Sequence, residues 1–89
     1  MKENILNLAR LPARLSVQQT STVLGFSDTD IQILHRTKLL KPLGNPAHNA
    51  PKFFAACEIS KLASDQEWLS KATRAISSYW QKKNQNRST

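Results

Sequence analysis

Apolar positions recur along the chain at helical spacing near both ends, and a turn-rich stretch separates them. Glu3 to Arg10 would form a short helix with Ile5, Leu6 and Ala9 on one side, interrupted by Pro12. Ser16 can cap a helix beginning at Val17, where Val17, Thr20, Ser21 and Leu24 fall at i, i+3, i+4 and i+7. Gly25 is placed to end that helix, because it tolerates positive φ. Ser27-Asp28-Thr29-Asp30 reads as a capping box, with a serine at the N-cap and an acid three residues on. A second helix over 28–37 follows from it. Ile31, Leu34 and His35 share the inner side. Thr29, Gln32, Ile33 and Arg36 fall between about 100° and 200° from Ile31, on the outer side.

Leu39 and Leu40 follow that helix, and Pro42 prevents its continuation. Asn45-Pro46-Ala47-His48-Asn49-Ala50-Pro51 is rich in turn formers, and Lys52-Phe53-Phe54 is short and extended. The pattern predicts strands near 40–43 and 52–54, joined as a hairpin with a long tip. A short helix is expected over 57–62. Ser64 or Asp65 would cap a last helix from 65 to about 84, with Trp68, Leu69, Ala72, Ile76, Tyr79 and Trp80 as its core stripe. Residues 85–89 are expected to form a frayed tail.

With 89 residues, the chain is expected to form one compact unit with a thin core. The hydrophobic fraction of 39% fits a globular chain rather than a disordered one. No apolar run approaches the roughly 18 residues that a membrane span needs, and the first residues make a poor signal peptide. One cysteine, Cys57, cannot form an internal disulfide, so a disulfide-stapled secreted protein is excluded and a cytoplasmic location is expected. Thirteen Lys and Arg against six Asp and Glu give a net charge of +7, which makes a polyanion a natural partner. The surplus is +2 over residues 1–26, +2 over 27–62 and +3 over 63–89, so any basic face must be assembled by folding.

Two short helices joined by Gly25-Phe26-Ser27 have the turn length of a helix-turn-helix, and a following hairpin would make it winged. The stretches Gly25-Phe26-Ser27, Asp30-Ile31-Gln32-Ile33-Leu34 and Leu39-Leu40-Lys41-Pro42 resemble the winged-helix domain of mercury-resistance-type (MerR) regulators and their excisionase-like relatives. That family reads Gly-Val-Ser, then Leu-Arg-Tyr-Tyr-Glu-Arg, then Gly-Leu-Leu-x-Pro. The resemblance resumes at Phe54 to Leu62, where the family has Tyr-Ser-x-x-Asp-Leu-x-x-Leu, and it covers about Leu15 to Leu62. This chain has Gln32 at the family's helix arginine, Ile33 at its first tyrosine, Lys38 at its glycine and Ala55 at its capping serine. The wing arginine and tyrosine are absent. The resemblance implies a mostly α fold, a winged helix-turn-helix with a small two-stranded β wing and a C-terminal amphipathic helix. The expected organisation is an arm over 1–14, the winged unit over 15–62, and a helix over 63–84 that packs on it or pairs with a second copy as a homodimer.

The expected partner is double-stranded DNA. On the outer face of helix 28–37, Gln32 suits adenine N6 and N7, Arg36 suits guanine or phosphate, and Ile33 or Thr29 suits a thymine methyl. Arg10, Arg14, Lys38, Lys41 and Lys52 are candidate phosphate ligands, and Asn45, His48 and Asn49 would lie at the wing tip. Asp28 and Asp30 would repel phosphate, but capping and the helix dipole account for them. His35 and His48 have no Cys or carboxylate at metal spacing, Cys57 reads as an inert thiol, and Lys82-Lys83 as a solvated helix end. Trp68, Tyr79 and Trp80 are expected in the core rather than in a base-stacking platform. No cofactor site and no catalytic constellation can be assembled, so a non-enzymatic role is expected, in transcription regulation or excisionase-like recombination. The rival is a protein-interaction module on the same scaffold, favoured by Ile33 on an outer face and by the two acids.

Overall fold

The computed structural model describes residues 11–87, with side chains through residue 83. The expected helix over 3–10 and the candidate ligand Arg10 lie outside the described residues. The element order is β1 (Arg14–Ser16), α1 (Val17–Leu24), α2 (Asp28–Arg36), β2 (Phe53–Ala55), α3 (Ala56–Ala63) and α4 (Gln66–Arg87). The described chain is therefore mostly helical, with a small two-stranded antiparallel sheet.

Both early helices start where serine can satisfy free backbone N–H groups. Ser16 Oγ accepts from Gln19 N at 3.2 Å, and Gln19 Oε1 accepts from Ser16 N at 2.9 Å. Ser27 and Asp30 repeat the arrangement at 3.1 and 3.2 Å. Gly25 ends α1 at φ +80°, where a side chain would be strained. α2 ends instead at Thr37, and the next residue, Lys38, takes φ +66° without being glycine. Asp65 caps α4 by accepting from Trp68 N at 3.1 Å. Nothing after Asp65 is glycine or proline, and α4 runs past the expected end near 84 to Arg87.

The sheet corrects the expected hairpin. β2 pairs not with 40–43 but with β1, in the register Arg14 to Ala55, Leu15 to Phe54 and Ser16 to Phe53. The reason lies in Leu40, which is 3% exposed and belongs to the core, so this stretch is used for packing instead of a ladder. What remains of the hairpin is one hydrogen bond, Leu43 N to Phe53 O at 2.8 Å, clasping the base of the loop 37–52. The core is formed by Leu15, Leu24, Ile31, Leu34, Leu40, Phe54, Ile59 and Ala72 with Ala56. It gathers side chains from both strands, all four described helices and the loop. α1 packs against α2, α3 and both strands, whereas α4 lies along α2 and α3. The Trp68 indole N–H donates to Leu39 O at 3.2 Å and ties α4 to the segment after α2. No helix among the described residues is long and apolar enough to cross a membrane.

Candidate functional site

α2 has packed neighbours on two sides, α1 and α4. Ile31 and Leu34 are fully buried, and so, at 2% exposed, is Ile33. This overturns Ile33 as an outer-face residue able to meet a thymine methyl. The helical wheel assumed one inward direction, but α2 packs against α4 as well as α1, and Ile33, about 160° round the helix from Ile31, is buried too. Beyond the acidic first turn, an exposed strip remains: Thr29, Gln32 and Arg36, at i, i+3 and i+7, with His35 half-buried beside it.

The loop 37–52 folds beside that strip. Gln32, His35 and Arg36 on one wall and Pro46, His48, Asn49 and Lys52 on the other enclose a cleft of about 320 Å³. A second cleft of about 460 Å³ shares His35 and Pro46 and is completed by Lys38, Leu40, Lys41, Pro42 and Asn45. Neither lining contains a carboxylate, while Arg36, Lys38, Lys41 and Lys52 supply four cations between them. The acids of α2 face elsewhere and are occupied. Asp28 Oδ1 accepts from the Ser21 hydroxyl at 2.9 Å, and Asp30 completes the capping box. The first turn of α2 is thus anionic and fastened to α1, and its last turn is cationic and opens on the clefts.

Lys52 has a structural duty as well. Its Nζ donates to His48 O at 3.2 Å and Ala50 O at 3.5 Å, closing the loop tip on itself. Arg36 Nη1 lies 3.5 Å from the Tyr79 hydroxyl, so its guanidinium turns towards α4.

Most of the residues singled out from the sequence come together here: Gln32, Arg36, His48, Asn49 and Lys52 in one cleft, Lys38, Lys41 and Asn45 in the other. Thr29 is exposed on the same helix but lines neither cleft. Arg14 stands apart on β1, its guanidinium carbon 4.0 Å from the centre of the Phe53 ring. Sequence reasoning missed His35 and Pro46 as shared walls, and Tyr79 beside Arg36. Proline and histidine in and before a turn-rich loop were visible signals; nothing in the sequence linked positions 36 and 79. Trp80, expected in the core, is 38% exposed.

A larger hollow of about 620 Å³ runs along the start of α4 between Asp65 and Arg74. Its walls are residues of one helix end, mostly exposed, and they converge on no chemistry. Among the described residues, no three His, Cys, Asp or Glu side chains are grouped to hold a metal ion. Comparison of the chain with protein-family models, with curated proteins and with solved structures found no match.

Proposed function

We propose that the chain is a non-enzymatic winged helix-turn-helix protein that binds double-stranded DNA, with α2 in the major groove and the loop 37–52 as its wing. The carrying observation is the pair of adjoining carboxylate-free clefts, sharing His35 and Pro46, one between Gln32 and Arg36 of α2 and that loop and the other within the loop against His35. A phosphate backbone needs such a surface, because every acid in it would cost affinity. A helix about 10–12 Å across with its side chains, such as α2, fits a major groove about 12 Å wide. Gln32 offers a bidentate amide to adenine, and Thr29 a methyl and hydroxyl near the start of the same strip. Lys38, Lys41 and Lys52 serve phosphates. The tilt of Arg36 towards α4 favours phosphate over guanine for it as well.

Two features support the resemblance to mercury-resistance-type and excisionase-like domains. The turn Gly25-Phe26-Ser27 joins two capped helices. The family's glycine before Leu-Leu falls at Lys38, whose φ of +66° is a backbone state that glycine adopts readily. The wing is reduced to a loop with one backbone bond, Leu43 to Phe53, across its base. A role in transcription or recombination follows from this reading. The two features that had favoured a protein-interaction module have partners inside the fold: Ile33 is buried, and Asp28 and Asp30 are hydrogen-bonded.

Titration of a labelled random-sequence duplex at increasing salt tests the proposal. Affinity should fall steeply, with a log–log slope near −0.9 for each phosphate neutralised. Absence of binding at low salt would overturn it and leave the interaction module as the better reading.

A further inference from the structure

The far end of α4 does not behave as an ordinary core helix. Ala72 and Ile76 pack into the core, and the same face continues through Tyr79 to Lys83. Beyond Ile76 no described side chain of α4 belongs to that core. The face that points at the protein body in the first half of the helix therefore becomes a partly exposed, aromatic and cationic surface in the second, with Tyr79 half-buried and Trp80 38% exposed. Tyr79 and Trp80 meet edge to face with centroids 5.4 Å apart. Lys83 Nζ stands 5.8 Å from one ring centre and 5.6 Å from the other. Tyr79 also reaches Arg36, so this surface is continuous with the exposed strip of α2.

Charge favours the same partner along the whole of it. From Trp68 to the last residue the sequence holds Lys71, Arg74, Lys82, Lys83 and Arg87 and no Asp or Glu. Cations at a helix C-terminus are ordinarily accounted for by the helix dipole. The dipole does not account for an indole left 38% exposed beside them. A flat apolar ring flanked by cations matches the alternation of sugar and phosphate along a nucleic-acid strand.

We propose that Arg36, Tyr79 and Lys83 form a clamp for a backbone phosphate of the duplex that α2 reads, with Trp80 laid against the neighbouring deoxyribose. The clamp rests on the DNA-binding reading above and extends it: α4 becomes a second, sequence-independent contact that fixes how α2 sits in the groove. It also assigns Arg36 to positioning rather than to base recognition.

The test compares wild type, Lys83→Ala, Trp80→Ala and Gln32→Ala by fluorescence anisotropy on a labelled random-sequence duplex across a salt series. Circular dichroism on each variant should match wild type, since both α4 positions lie outside the core. Lys83→Ala should flatten the salt slope by about 0.9 and weaken all sequences alike. Trp80→Ala should weaken binding of the same duplex, and Gln32→Ala should not. Adding unlabelled duplex should quench tryptophan emission in wild type, and Trp80→Phe should abolish most of that change. Wild-type binding with an unchanged slope in Lys83→Ala would overturn the clamp and leave the reading of α2 standing. Failure of wild type to bind at low salt would overturn both. A change in the sedimentation of Trp80→Ala with duplex binding intact would also overturn the clamp, in favour of contact between two copies.

Discussion

The helices α1 and α2 begin with the same device, a serine N-cap whose box partner stands three residues on, and they are nearly equal in length. Their surroundings then separate them. α1 carries no charged residue, and it is packed by α2, α3 and both strands. It buries even Thr20 and Ser21. α2 carries acids in its first turn and His35 and Arg36 in its last, and its packed neighbours leave one strip open. Capping determines where a helix starts, whereas the directions from which it is covered determine whether any of it remains available to a partner. α1 is covered by its neighbours, and α2 keeps an exposed strip.

The largest expected effect would break this contrast at Ile33. If α2 is walled by α4, Ile33→Ala should cost about 2–5 kcal/mol in urea unfolding, as other large-to-small core changes do. Normal stability with lost DNA binding would return Ile33 to the outer face. Next, Gln32→Ala should leave stability within about 0.5 kcal/mol. In the same variant, binding to a selected site should weaken by about 1–3 kcal/mol while random-duplex binding holds. Gln18→Ala, on the exposed side of α1, is the matched control and should alter neither quantity. If the two glutamine variants bind alike, α2 has no special standing.

A smaller effect probes the shared device. Ser27→Ala should lose about 1 kcal/mol in the same unfolding measurement, the usual worth of an N-cap. No loss would mean that neighbouring packing alone sets the start of α2. The smallest change should be a gain. Thr20 is fully buried and its hydroxyl has no hydrogen-bond partner. Thr20→Val should therefore raise stability by up to about 1 kcal/mol, seen as a higher Tm. A lower Tm would show that the hydroxyl is satisfied.

What could be read from the chain follows the range of the forces involved. α1 and α2 were legible because their signals are local: Ser16, Gly25 and the box Ser27–Asp30 all act within a few residues. The Ser16–Gln19 box is as local as these, in the spacing Ser-x-x-Gln. β1 was not legible, since three residues carry no alternation and their partner is far along the chain. The expected strand at 40–43 failed for the complementary reason. Leu40 satisfies a strand pattern and a core position equally well, and the core claimed it. At the site, the cations and amides were identifiable by type, but their grouping depended on how the loop 37–52 falls against α2. Ile33 was misplaced because a wheel shows periodicity and says nothing of a second helix arriving from residues 66–87.

The pairing of β1 with β2 has a kinetic consequence. Leu15 and Phe54 lie some forty positions apart in the chain, and joining them closes a loop that contains both α1 and α2. Closing a loop of that length costs about 3 kcal/mol of chain entropy, which must be met before the contacts it brings are formed. The two helices can flicker into being early, from their own caps, on the submicrosecond scale of helix formation. The packing of α1 on the sheet follows only once the strands meet. An excised segment of residues 16–43 would keep both N-caps and the whole of α1 and α2, yet it would lack the sheet on which α1 packs. The smallest unit able to present α2 is therefore set by the ends of the sheet and not by the ends of the helices.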